Sequence, residues 1–347
     1  MKTLNMIGSL ITAVSVSMIC SISAAQSFVG TFVVVRGDVK VLRTPAANDP
    51  GPFAQLEGVK YSYEEAKIGK KINPGEVIQS GPDGKAKIAY PNGDSFLVGN
   101  GTSLIMPNVT DHGDTKSSAI KLIYGRMRSL ISKSGPRNNM RVTTPNVVAG
   151  VRGTDFFTRA NPDIGTQLTV LRGEVSVQSA TKPEATPVAI KSGFMTQVAH
   201  AQTQAPKATE ATKEELSSLQ TESAVKPTAA DLSALKPEQK NEIAALNSKT
   251  KDVIIADIQD HDPGLLKQLK NAKSMDDDDL NTAVVARLFK MAPSDQKKKL
   301  TKAEADAAGQ GVYEKYYKTR EGKTDSKHES APKDGADKGS DKNSDKK

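Results

Sequence analysis

The chain has 347 residues, enough to bury a hydrophobic core and, by size, to hold two folded regions. Only 37% of residues are hydrophobic, 25% are charged and there is no Trp, so part of the chain is expected to stay outside any core. Its 48 basic residues are nearly offset by 40 acidic ones, and a net charge of +8 is too weak at this length for a general nucleic-acid binder.

The first element is a segment for export. Lys2 precedes an apolar run from Met6 to Ile22, and the small residues Ser23 and Ala25 suit a signal peptidase, which places the cut before Gln26. Cys20, the sole cysteine, follows Met18 and Ile19 and does not fit a lipobox. It is expected to leave with residues 1–25, so the mature chain carries neither a disulfide nor a thiolate site. With no other run apolar enough to span a bilayer, the expected location is the periplasm or cell envelope, with full secretion as the alternative.

From Phe28 to Ala199, β-rich runs are divided by Gly, Pro, Asn and Asp, as in strands joined by tight turns. Residues 31–35 and 39–42 flank Gly37-Asp38 and read as a hairpin. The unit of a turn glycine followed by a strand recurs at Gly84, Gly93, Gly101 and Gly173. Its irregular spacing leaves two architectures open for residues 26–200, a β-sandwich or a short irregular β-helix. Eleven of the fifteen aromatics, eight Phe and seven Tyr in all, fall here, so this half is expected to hold the main core. Residues 48–71, with Pro50, Gly51 and Pro52, read as a surface excursion.

Composition then turns to Ala, Thr, Gln, Pro and Lys, and residues 201–227 read as a linker with a short helix opened by the capping box Thr212 to Glu215. An α-helical region follows over 228–318. Pro237 suits a first helical position, Ile243, Leu246, Ile254 and Ile258 recur at helical spacing, and a further helix is predicted over 277–291. Residues 319–347 contain no Val, Ile, Leu, Met or aromatic residue and read as a disordered charged tail.

Little of the chain looks catalytic. The four histidines, His112, His200, His261 and His328, are scattered and none sits at ligand spacing from another His or a Cys, so no metal site is expected. The run Asp276–Asp279 reads as an acidic helix start. Phosphate-loop, dinucleotide-fold and nucleophile-elbow motifs are all missing, which predicts no cofactor and no enzyme activity. The clearest electrostatic feature spans Lys116 to Gly153, which contains eight cations and no acid. Lys121, Arg126, Arg128, Lys133, Arg137 and Arg141 from it are the candidate binding face for an envelope protein or an anionic envelope polymer, with the outer faces of solvated strands as the plainer reading.

One stretch carries a resemblance. Residues Thr144 to Phe157, containing Thr144, Pro145, Gly150, Val151, Arg152, Gly153, Thr154 and Phe156, resemble the FecR-domain signature, a Thr-Pro run followed by Val-Arg-Gly-Thr. Gly75–Ser80, Asn92–Ser95, Gly125–Arg128 and Leu171–Val175 also match family positions, so the resemblance extends over about residues 30–200. These signature residues read as architectural. Pro145 forces an extended approach, the glycines permit turns or close packing, and Arg152 is expected to bridge strand ends or meet Asp155. The resemblance implies an extracytoplasmic β-domain for protein or polymer contact. Its best-known members are membrane regulators with a cytoplasmic sigma-factor-binding segment, for which the few residues before the apolar run leave no room. A stand-alone interaction module is the first expectation and a sensory component of a signalling system the alternative.

Overall fold

A computed structural model describes residues 30–45, 49–112, 115–133, 139–200, 206–223, 225–269 and 271–293. The export segment, Arg137 and the charged tail lie outside the described residues. The first part of the chain forms strands β1 (Gly30–Arg36), β2 (Val39–Arg43), β3 (Phe53–Leu56), β4 (Val59–Glu65), β5 (Lys71–Ile72), β6 (Val77–Ser80), β7 (Lys85–Ala89), β8 (Ser95–Val98) and β9 (Ser103–His112). The long β10 (Thr115–Ile131) leads to β11 (Asn139–Thr143), β12 (Val147–Val151), β13 (Thr154–Asn161), β14 (Gly165–Arg172), β15 (Glu174–Ser179), β16 (Val188–Lys191), β17 (Phe194–Ala199) and β18 (Thr209–Glu210).

Pairing sorts these strands into two sheets that share β10. One runs β5-β1-β7-β8-β10-β13-β14-β17-β18 and is antiparallel throughout. The other runs β3-β4-β2-β6-β9-β10-β11-β12-β15-β16, with β10 and β11 its parallel pair. Alternate residues from both sheets meet in one core: Phe32, Ile88, Phe96 and Phe156 from the first pack with Val41, Leu104, Met140 and Val177 from the second. Such face-to-face packing of two inward-facing residue sets is a β-sandwich, which decides between the two architectures left open by sequence.

Two readings of the sequence are corrected. Strands β1 and β2 do not pair with each other, because Gly37, at φ +58°, turns the chain from one sheet into the other instead of back along itself. Residues 53–65 are not a loose excursion but a hairpin, β3 with β4, whose turn residues Glu57 and Gly58 both have positive φ, at 49° and 81°. Its Leu56 covers part of the second sheet's outer face together with Leu42, Val77 and Tyr124.

Helices follow: α1 (Lys213–Ser223), α2 (Ala229–Ser233), α3 (Pro237–His261), α4 (Pro263–Gln268) and α5 (Asp277–Met291). Their starts are chemically marked. The Thr212 hydroxyl accepts from the Glu215 amide at 3.2 Å, Pro237 fills the first turn of α3, and Asp276 caps α5 by accepting from the Asp279 amide at 2.7 Å. The acidic run is therefore a helix start, as expected. Among the described residues no helix is long and apolar enough to cross a membrane.

The helices form a third layer on the outer face of the first sheet, hereafter the helix-side sheet. Leu130, Phe157 and Leu171 of the sheet pack against Leu216, Leu219, Ile254, Ile258, Leu280 and Val284. A neighbouring patch joins Val33, Val34, Ala89 and Leu97 to Ile243 and Leu246. A bulge between Phe32 and Val34 lets β1 send Phe32 into the sandwich and Val33 and Val34 to the helices. Contact is close: a Cβ added at Gly93 would lie 2.4 Å from Val253. Residues 209–223, read as part of a linker, contribute β18 and the buried Leu216 and Leu219 of α1. The second sheet keeps much of its outer face free and is called the open sheet below.

Candidate functional site

Charge on the helix-side sheet is arranged in a register that sequence alone does not reveal. Lys87, Arg126, Arg128, Arg159 and Arg172 stand on the outer face of adjacent strands, because Arg126 pairs across to Arg159, Arg128 to Phe157 and Asp155 to Arg172. Acids from the helical layer meet them. Arg159 donates to Glu215 at 2.7 Å, Arg126 to Glu222 at 3.1 Å, Lys87 to Asp277 and Asp278, and Arg172 to Asp257 at 2.6 Å. At the margin, Arg36 pairs with Asp231 and Lys71 with Glu242.

The centre of this face is a buried chain of charges. Asp155, fully enclosed, receives Nε and Nη2 of Arg128 at 2.8 and 2.7 Å and lies 2.9 Å from Nη2 of Arg172. Burial favours the neutral acid, but the two guanidiniums outweigh it and hold the Asp155 carboxyl below its ordinary range. Burial likewise opposes the charge of Lys87, yet Asp277 and Asp278 beside it raise the ammonium above the usual lysine value. Arg128 also lies 5.5 Å from the centre of the Phe157 ring and donates to Asn281 at 3.0 Å.

The candidate binding face is thus divided. Arg126 and Arg128 are consumed within the molecule, Lys133 forms an exposed pair with Asp260 at 3.0 Å, and Arg137 lies outside the described residues. Lys121 and Arg141 project from the outer face of the open sheet. Lys121 lies 3.4 Å from Glu57, and Arg141 has no ion partner among the described residues. The cations of the basic stretch therefore do not form one surface. Strand β10 crosses from one sheet to the other, so its two halves face different layers.

The signature residues build a corner. Thr144 accepts at its hydroxyl from the Val147 amide at 2.9 Å and its own amide donates to the Val147 carbonyl at 2.8 Å, closing the Thr144-Pro145-Asn146-Val147 turn between β11 and β12. Gly150 sits within β12, where an added Cβ would meet only Ser176 at 3.8 Å, so neither a turn nor close packing explains it. Val151 enters the core, Arg152 and Gly153 carry the chain from the open sheet to the helix-side sheet, and Thr154 and Phe156 are buried on arrival. Gly153, at φ +60°, has no room for a side chain, since a Cβ would fall 1.9 Å from Cγ of Lys133. Arg152 does not meet Asp155 as expected. It is exposed, and Arg128 and Arg172 hold that carboxylate.

Arg172 and Gly173 make the reverse crossing beside it, so that a Cβ on Gly173 would stand 2.7 Å from the Gly153 carbonyl oxygen. Arg-Gly crossings therefore recur at 36–37, 152–153 and 172–173. Between the two adjacent corners and helices α3, α4 and α5 lies a cleft of about 780 Å³, lined among others by Arg152, Lys191, Leu171, Leu265 and Leu288. Asp257, which braces Arg172 from the helical side, carried a faint signal: an acid within the apolar stripe of Ile254 and Ile258. No group of three or more His, Cys, Asp or Glu placed to hold a metal occurs among the described residues.

Comparison with known proteins gives the domain its kinship. The family model for FecR protein matches residues 76–176, the stretch that contains the signature corner. Two crystal structures of a candidate anti-sigma factor from Parabacteroides distasonis are similar at 16% and 15% identity, with TM-scores of 0.31 and 0.32. They cover 38% and 39% of this chain, which spans 57% and 59% of theirs. No curated protein matches the chain.

Proposed function

We propose that this protein, which carries a FecR domain over residues 76–176, is an exported, non-catalytic module that docks an envelope protein or anionic envelope polymer on its open sheet. One observation carries the reading: the helices occupy the outer face of the helix-side sheet and pair its cations, whereas β10, β11, β12 and β15 leave Lys121, Arg141 and Ser176 exposed on the opposite side. A solvated sheet face with two exposed cations suits a salt-sensitive contact.

Crosslinked capture from envelope extract with tagged residues 26–347 tests this. The expected result is saturable recovery of an envelope component, weakened by salt and by Lys121→Ala with Arg141→Ala. Capture indifferent to both would reject the open sheet as the docking surface. The FecR match supports a second reading, a sensory component of a regulatory system, for which the captured partner would be a membrane regulator or transporter and deletion of the protein would change transcription of transporter genes.

A further inference from the structure

The cleft at the paired Arg-Gly corners has a chemistry distinct from the open sheet. We propose that it binds a small amphiphilic anion, its carboxylate held by Arg152 and Lys191 and its aliphatic body laid against Leu171, Leu265 and Leu288.

Charge gives the first argument. Five cationic side chains line the cleft against two carboxylates, Glu174 and Asp262. Three of the five are already neutralised: Arg172 by Asp155 and Asp257, Arg287 by Asp262 at 3.2 Å, and Lys133 by Asp260. Arg152 and Lys191 have no ion partner among the described residues. Behind them, Nη1 of the nearly enclosed Arg172 makes no hydrogen bond. Glu174, the cross-strand neighbour of Lys191, is the one lining carboxylate without an ion partner among the described residues, so Arg152 and Lys191 together leave one positive charge over.

Apolar lining gives the second. Leu171, Ile258, Leu265 and Val284 continue the interface between sheet and helices into the cleft, and the wall runs out to Met291, which is 68% exposed. A lining that holds both unpaired cationic groups and aliphatic side chains matches a ligand with one charged head and an apolar body. A volume of about 780 Å³ falls within the range of roughly 300–1,000 Å³ common to small-molecule sites. An extended peptide would look for an unpaired strand edge. Of the strands at the cleft, β12, β13, β14 and β15 are each paired on both sides, and β16 alone keeps one edge unpaired among the described residues.

Calorimetric titration of the purified protein with octanoate tests the proposal, with octanol and acetate as the tail-only and head-only controls. The expected outcome is one saturable octanoate site, with both controls at least about tenfold weaker and Arg152→Ala weakening octanoate by about tenfold, the loss of one charge-assisted contact. Leu288→Asp, which puts a carboxylate in the apolar wall, should abolish binding. Arg152 is exposed and unpaired, so its variant should keep the wild-type thermal midpoint. The proposal fails if octanoate does not bind, if octanol binds equally well, if Arg152→Ala changes nothing, if uptake occurs at many sites, or if only an acidic peptide of Glu and Leu occupies the cleft. Lys121→Ala with Arg141→Ala should leave octanoate binding intact, which separates failure here from failure of the docking surface.

Discussion

Asp155 shows how much depends on single atoms. Its carboxylate is the shared acceptor of two guanidiniums that are themselves 5% and 3% exposed, so neutralising it leaves two buried cations without their common partner. Asp155→Asn keeps the shape and should still cost about 3–5 kcal/mol in denaturant unfolding, the penalty for breaking a buried pair. The same group shapes the acid limb of stability. Because its folded value lies below its unfolded one, its contribution is complete above the unfolded pKa and is lost as pH falls toward the folded value. Lys87 acts at the other end: its folded value is raised, so its contribution is complete below the unfolded pKa and is lost as pH rises through the folded value. Stability measured against pH should show a plateau with a fall on each side, and Asp155→Asn should flatten the acid fall while leaving the alkaline one. At Gly153, a positive φ and the 1.9 Å approach to Lys133 leave no room for a methyl group, and Gly153→Ala should destabilise by at least about 1–3 kcal/mol in the same measurement. The glycine and its turn were legible in the sequence. The partners of Arg128 and Arg172 were not, since Asp155 lies across the sheet and Asp257 lies 85 positions along the chain from Arg172, and pairing depends on register.

Among the elements, the helical layer changes the reading most. The counter-charges of Arg126 and Lys133, in the acid-free stretch from Lys116 to Gly153, come from α1 and α3, and a linear sequence shows the two sets of charges without showing that they meet. Helix starts were readable because caps are local: Thr212, Pro237 and Asp276 act within a turn of the helix they open. The hairpin of β3 and β4 was hidden by Pro50, Gly51 and Pro52, which announce a break but say nothing of the pair of strands immediately after them. Docking itself has a testable cost. Residues 26–205 without the helices would expose Leu97, Leu130, Phe157 and Leu171 together with the cations between them, an apolar patch that soluble domains seldom tolerate. That fragment should elute as aggregate in size-exclusion chromatography, and co-expression of residues 206–347 should return it to the soluble fraction. A soluble, monodisperse 26–205 fragment would show that the helices are accessories to an independent domain.

For the whole molecule, the question is whether sandwich and helices unfold together. Their interface combines two apolar clusters with buried ion pairs that cannot be half separated without stranding charge, which favours cooperativity across the layers. The chain offers separate reporters for each layer. Far-ultraviolet dichroism near 222 nm follows the helices, while near-ultraviolet dichroism of the buried Tyr90 and Tyr124 follows the sandwich, with no Trp to obscure them. Leu219→Ala in α1, a fully buried position on the interface, should remove about 2–5 kcal/mol and lower both midpoints by the same amount. Coincident transitions before and after the substitution would establish one folding unit, in which any ligand gripping both the Arg152 corner and α5 stabilises the whole. Separate midpoints, with only the helical signal moved by Leu219→Ala, would instead make the helical layer a detachable cover, and the cations beneath it would become a second surface for partners.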